Sequence, residues 1–145
     1  MSHTPDAVLR QWFKEVWDEG REEAIDRLAH PQLVVHGLGG PGEPPMRGTA
    51  EFKKVFHVFR EALGDLEIAV ERTVTEGDQC AAFCRVKGLH VGSALGGTPT
   101  KRPVEFSGVT IAIVRDGRIV EGWNCFDFLA MYQQIGWVAN PPLPG

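Results

Sequence analysis

"RPVEFSGVTIAIVRDGRIVEGWNCFD", residues 102–127, decides the fold. Val, Ile, Phe and Thr dominate it, and Asp116-Gly117 falls between two β-rich runs, where a two-residue type I′ turn needs positive φ at both central positions. The stretch reads as two antiparallel strands joined by a tight hairpin. Working backwards, "LEIAVERTVTEG" (66–77) and "QCAAFCRVKGLHVG" (79–92) are two further strands, with turn signals at "EGD" (76–78) and in the Gly-rich "GSALGGTPTKR" (92–102). Connections this short hold no crossover helix, so the four strands form an antiparallel meander.

Ahead of the meander the pattern is helical. From Asp6 to Glu19, Val8, Leu9, Trp12, Phe13, Val16 and Trp17 recur with one-face helical spacing, and Gly20 stops the run. "REEAIDRLAHP" (21–31) supplies a second short helix with Ala24, Ile25 and Leu28 inward, ending before Pro31. "QLVVHG" (32–37) is a strand and "GLGGPGEPPMRG" (37–48) a loop. A third helix opens at Thr49 as N-cap, with Glu51 in its first turn and Phe52, Val55, Phe56, Phe59 and Leu63 on its inner stripe. After Asp127, "FLAMYQQIG" (128–136) is a short helix, and the proline-rich "WVANPPLPG" (137–145) lies extended.

These elements define an α+β protein: three N-terminal helices packed on a strongly curved, mainly antiparallel sheet, an α+β barrel or cone enclosing an apolar pocket. One domain spans 1–145, with its core at about 6–136. "EIAVERTV" and "VEFSGVTIAIV" carry apolar residues on both strand faces, so the outer face of the sheet is expected to be buried against a second copy.

Composition narrows the function. No window approaches the roughly 20 apolar residues of a membrane span, and the N-terminal residues lack the basic start and apolar core of a signal peptide, which points to the cytoplasm and away from membranes. A net charge of -4, with only "TKRP" (100–103) as a basic cluster, argues against nucleic acid. Cys80, Cys84 and Cys125 are odd in number, and the first two stand roughly 13 Å apart along a strand. They read as reduced core thiols. Without a Cys-x-x-Cys or a close His pair, no metal site is assigned.

The order of these pieces, from "WFKEVWDEGREEAIDRLAHPQLVVHG" through "RGTAEFKKVFHVFREALGDLEIAVERTVTEGDQCAAFCRVKGLHVG" to "GGTPTKRPVEFSGVTIAIVRDGRIVEGWNCFDFLAMYQQIG", resembles the SnoaL-like polyketide cyclases of the nuclear transport factor two-like, cone-fold superfamily. The resemblance covers residues 8–136. It implies a cone with an apolar pocket, a homodimer formed through the sheet, and a small hydrophobic ligand. It also implies intramolecular aldol ring closure without metal or organic cofactor, using a pocket Asp at the end of the last strand. The matching residue is Asp127, after Trp123. Two positions depart from the family pattern: Gly122 stands where relatives often carry His, and Gln32 where many carry an Asp four residues before the histidine matched by His36.

Aldol closure needs a base beside a carbonyl and an acid for the new alkoxide, and one carboxyl group serves both in turn. A carboxyl enclosed by aromatic residues such as Trp123, Phe126 and Phe128 ionises less readily, because burial disfavours the charged form. Asp127 equally fits an N-cap for the helix starting at Phe128. His36 is a second catalytic candidate, able to hydrogen-bond an acid or a substrate oxygen. Trp12, Trp17, Phe52 and Phe56 suit stacking on a flat ring system, with His90, Trp123 and Asn124 as further substrate contacts. Two alternatives share the fold: a non-catalytic apolar-ligand or dimerisation module, and an epoxide-hydrolase-like enzyme. The latter needs an Asp-Arg-Asp set drawing on Arg47, Arg72 or Arg85.

Overall fold

The computed structural model describes residues 3–40 and 42–140; the extended reading of 137–145 is corrected at its start, where the chain bends and Trp137 N–H donates to the Tyr132 carbonyl at 2.9 Å, and 141–145 lies outside the described residues. Element order is α1 (Pro5–Trp12), a π-helical segment (Phe13–Asp18), α2 (Glu22–Leu28), β1 (Ala29–His36), β2 (Met46–Arg47), α3 (Thr49–Ala62), β3 (Leu63–Glu76), β4 (Gln79–His90), β5 (Pro103–Arg115), β6 (Arg118–Phe126) and α4 (Phe128–Gln134). The strands form one six-stranded mixed sheet in the order β2-β1-β6-β5-β4-β3. That linear order leaves the sheet open, a curved half-cone rather than a closed barrel.

The meander is antiparallel as expected, and its last hairpin turns on Asp116 (φ 52°) and Gly117 (φ 75°), both in the left-handed region that a type I′ turn requires. Curvature comes from bulges. The β3–β4 pairing shifts between Gly64 and Glu67 and again between Val70 and Arg72, and the β5–β6 pairing shifts between Ile113 and Val114. Each extra residue adds local twist, so the sheet bends around α1, the π-helical segment and α3.

Four local expectations are corrected. The first helix does not run unbroken to Glu19: after Trp12 it widens into a π-helix, closed by Glu19 N–H donating to the Lys14 carbonyl five residues back at 2.9 Å. Phe13, Val16 and Trp17 stay buried in that wider turn. The first strand begins at Ala29, not Gln32, because the chain is already extended two residues before Pro31 (Ala29 φ -120°, ψ 145°). Thr49 is the first helical residue of α3, while Gly48 (φ 87°) holds the cap position. The loop 37–48 contains the short strand β2, with Val34 opposite Arg47 and Val35 opposite Met46. The sheet also gains a parallel pair, β1 with β6, since a long α3-to-β5 connection separates them in sequence.

The core lies between the concave sheet face and the helices, and joins Val8, Leu9 and Trp12 of α1 and Phe52 and Phe56 of α3 to Cys84, Val86, Phe106 and Ala112 of the sheet. Cys80 and Cys84 are buried free thiols, and burial pushes Cys84 up to about 12, keeping it uncharged. Cys125 departs from the core-thiol reading: alternation along β6 turns it outward, and it is exposed.

Candidate active site

An apolar pocket with a cavity volume of about 80 Å³, open to solvent at its mouth, sits in the hollow of the sheet. The π-helical segment and α1 supply Phe13, Trp17 and Trp12, α3 supplies Phe52 and Phe59, and β5–β6 supply its floor with Thr110, Ala112, Gly122 and Asn124. Aromatic packing fixes the helix side: Trp12 meets Phe52 at 5.1 Å, and Trp17 meets Phe52, Phe56 and Phe59 at 5.9, 5.7 and 6.3 Å. Among the described residues lining the pocket, none is ionisable; besides the indoles of Trp12 and Trp17, Thr110 and Asn124 carry the polar side-chain atoms.

These two face each other across β5 and β6. Thr110 Oγ1 donates to Asn124 Oδ1 at 2.8 Å, and Asn124 Nδ2 donates to the His36 carbonyl at 3.0 Å. The chain depends on Gly37: a Cβ there would lie 1.9 Å from the Asn124 carbonyl oxygen, and its φ is 87°. Only glycine lets β1 end against β6 and offer the His36 carbonyl to the amide.

Of the sequence-derived site residues, the structure puts Trp12, Trp17, Phe52 and Asn124 on the pocket wall and the others elsewhere. Phe56 is buried behind Trp17 as core. The expectation of an acid inside the cavity is corrected: Asp127 is exposed, and its Oδ1 accepts from Ala130 N–H at 3.0 Å as the N-cap of α4. Its chain neighbours Phe126 and Phe128 do line the pocket, so Asp127 stands on the rim. His36 and Trp123 lie on the convex face, because strand alternation sends Gly122, Asn124 and Phe126 inward and Glu121, Trp123 and Cys125 outward. There His36 stacks on Trp123 (5.1 Å, 3°) and its Nε2 sits 2.7 Å from Glu121 Oε2. His90 is fully buried outside the pocket lining, and its Nδ1 accepts from Thr100 N–H of the 91–102 loop at 3.1 Å.

A profile of the SnoaL-like polyketide cyclases matches residues 7–135. The chain belongs to that family. Aklanonic acid methyl ester cyclase DauD of Streptomyces sp. (strain C5) is 26% identical to this SnoaL-like chain, over 97% of it and 92% of the relative. IdmH of Streptomyces antibioticus, proposed to be a polyketide cyclase, superposes with a TM-score of 0.78 at 29% identity, over 91% of this chain and 98% of that one. A SnoaL-like protein of Jannaschia sp. CCS1 shares the fold with a TM-score of 0.80 at 24% identity, over 94% and 93%.

Thr110 is a polar pocket residue that the sequence reading missed, along with apolar wall residues such as Leu33, Val86 and Phe106. Counting back from the 116–117 turn pairs Asn124 with Val109; the bulge at Ile113/Val114 moves the partner by one residue, to Thr110. Its signal in the sequence was a hydroxyl amid the apolar run "GVTIAIV". The epoxide-hydrolase alternative finds no support, since no Arg or Asp is among the described residues lining the pocket, and Arg85 pairs with Glu71 (3.2 Å) and Glu105 (3.9 Å) on the convex face.

Proposed function

We propose that this protein is a polyketide-cyclase-like enzyme that encloses a hydrophobic carbonyl compound in the conical pocket and assists its ring closure by proton transfer, without metal or organic cofactor. The observation that carries this reading is an apolar, aromatic-walled pocket in the hollow of the cone of a SnoaL-like chain. Flat fused rings stack on Trp and Phe walls, and a desolvated cavity protects an enolate or alkoxide from competing water. Asp127, one residue from two pocket-lining Phe side chains, is the acid/base candidate, reaching the reacting atoms at the mouth.

The test exploits the double role of Asp127. Asn caps helices about as well as Asp, so Asp127→Asn removes the acid and keeps the cap, whereas Asp127→Ala removes both. With aklanonic acid methyl ester, the compound named for the relative DauD, as trial substrate, Asp127→Asn should lower turnover by about 10² or more at unchanged Tm. Asp127→Ala should in addition lose about 1 kcal/mol of stability. Turnover by Asp127→Asn within about threefold of wild type would remove Asp127 from the chemistry.

A second reading, a non-catalytic carrier of the same ligand class, is favoured by the lack of ionisable side chains on the described pocket wall. Tight binding of the trial ester with no ring closure selects it. Under either reading the convex face serves a homodimer: Phe83, Ile111 and Trp123 remain 37%, 40% and 38% exposed there, apolar area that a second copy would cover.

A further inference from the structure

We infer that the Thr110–Asn124 pair on the pocket floor selects the ligand by demanding a hydroxyl hydrogen from it, so that the pocket takes neutral, hydroxylated ring compounds and turns away their ethers and carboxylates. This rests on the reading that the pocket is the ligand site.

Hydrogen-bond direction carries the argument. A backbone carbonyl only accepts, so the Asn124 group 3.0 Å from the His36 oxygen is Nδ2, and the amide cannot be reversed without setting two oxygens against each other. Oδ1 therefore faces Thr110 and, being a carbonyl oxygen, must accept. The single hydroxyl hydrogen of Thr110 is spent on that bond. What Thr110 Oγ1 still has for a ligand is lone pairs, and only a donor satisfies them. Thr110 is 5% exposed, and a hydroxyl oxygen in so dry a wall gains most when a ligand supplies that donor. With no cationic side chain among the described wall residues, a carboxylate would enter without a counter-charge and lose its hydration.

Calorimetric titration with three bicyclic probes tests this: 2-naphthol, 2-methoxynaphthalene and 2-naphthoate. Wild type should bind 2-naphthol about three- to tenfold more tightly than 2-methoxynaphthalene, the size of one hydrogen bond, and 2-naphthoate more weakly than either. Thr110→Val should erase the preference for the naphthol while holding the methoxy compound within about twofold, and Thr110→Ser should retain it. Asn124→Leu provides an independent check on direction. It frees the Thr110 hydrogen to donate, so binding of 2-methoxynaphthalene should tighten relative to 2-naphthol. Equal binding of all three probes by wild type, or a preference that survives Thr110→Val, overturns the inference and leaves the pocket reading standing. Failure of wild type to bind any of the three overturns the pocket reading and the inference together.

Discussion

The two faces of the β5–β6 hairpin are made from alternate residues of the same strands, yet they are chemically opposite. Inward, Thr110, Ala112, Gly122 and Asn124 make an uncharged floor with one hydrogen-bonded polar pair. Outward, Ile111, Glu121, Trp123 and Cys125 make an open surface where an imidazole, a carboxylate and an indole meet. The groups with the most reactive side chains face away from the pocket. The floor of the cone therefore offers a ligand only shape and hydrogen-bond direction, and the charged side chains of this hairpin lie on its convex face.

The largest expected effect outside Asp127 itself lies on the convex face. If it buries Ile111 and Trp123 against a second copy, Ile111→Glu places an unpaired charge in an apolar interface and should weaken dimerisation by more than about a hundredfold. Light scattering after size exclusion should then give 16.0 kDa for the variant and twice that for the wild type. Wild type at 16.0 kDa in the micromolar range would show the face to be simply solvent-exposed. Ligand affinity should stay unchanged in Ile111→Glu, because residue 111 points away from the pocket.

Next in size is a contrast between two glycines of the inner face. A Cβ at Gly108 would lie 2.2 Å from Phe126 Cδ1 and 2.8 Å from Phe126 Cα, so Gly108→Ala forces β5 and β6 apart and should cost about 1–3 kcal/mol in denaturant unfolding. At Gly122 the nearest atom is the Ile111 carbonyl oxygen at 3.8 Å. Gly122→Ala should therefore leave stability within about 0.5 kcal/mol while its methyl group intrudes on the pocket floor and weakens ring binding. Equal destabilisation by both substitutions would mean that the floor at Gly122 is packed, not open.

Much of this architecture was legible in the sequence because its signals are local. The 116–117 turn, the β-rich runs and the helical stripes each fix their own segment, and strand alternation follows from them. What stayed hidden depends on partners distant in sequence. Parallel pairing of β1 with β6 leaves no local mark, and β2 is two residues that pair only because Val34 and Val35 are waiting. The bulge at Ile113/Val114 hid Thr110 behind Val109. At the candidate site, "WNCFD" shows an acid among aromatic residues, and only the chain direction after Phe126 reveals that the carboxylate turns out to cap α4 while its two neighbours turn in.

The smallest expected effect concerns a carboxylate that ties the helical layer to the sheet. Asp18, at the end of the π-helical segment, accepts from Ile68 N–H of β3 at 2.6 Å, and Ile68 lines the pocket. Burial raises the Asp18 carboxyl above its ordinary value; Glu67 and Glu19 add to this, and the Ile68 N–H and Arg60 oppose it. The folded chain thus binds this proton more tightly than the unfolded chain does. Ionising Asp18 counts against the fold at every pH above its folded value, and the penalty is relieved as pH falls through that value towards the ordinary carboxylate range. Asn keeps an oxygen for the Ile68 N–H and cannot ionise, so Asp18→Asn should raise Tm relative to wild type at about pH 7, with the gain vanishing near pH 3. If the variant instead loses Tm at pH 7, the charge on this inner tether strengthens its bond to Ile68 by more than burial costs it, and the helical layer, unlike the pocket wall it supports, is built to hold an ion.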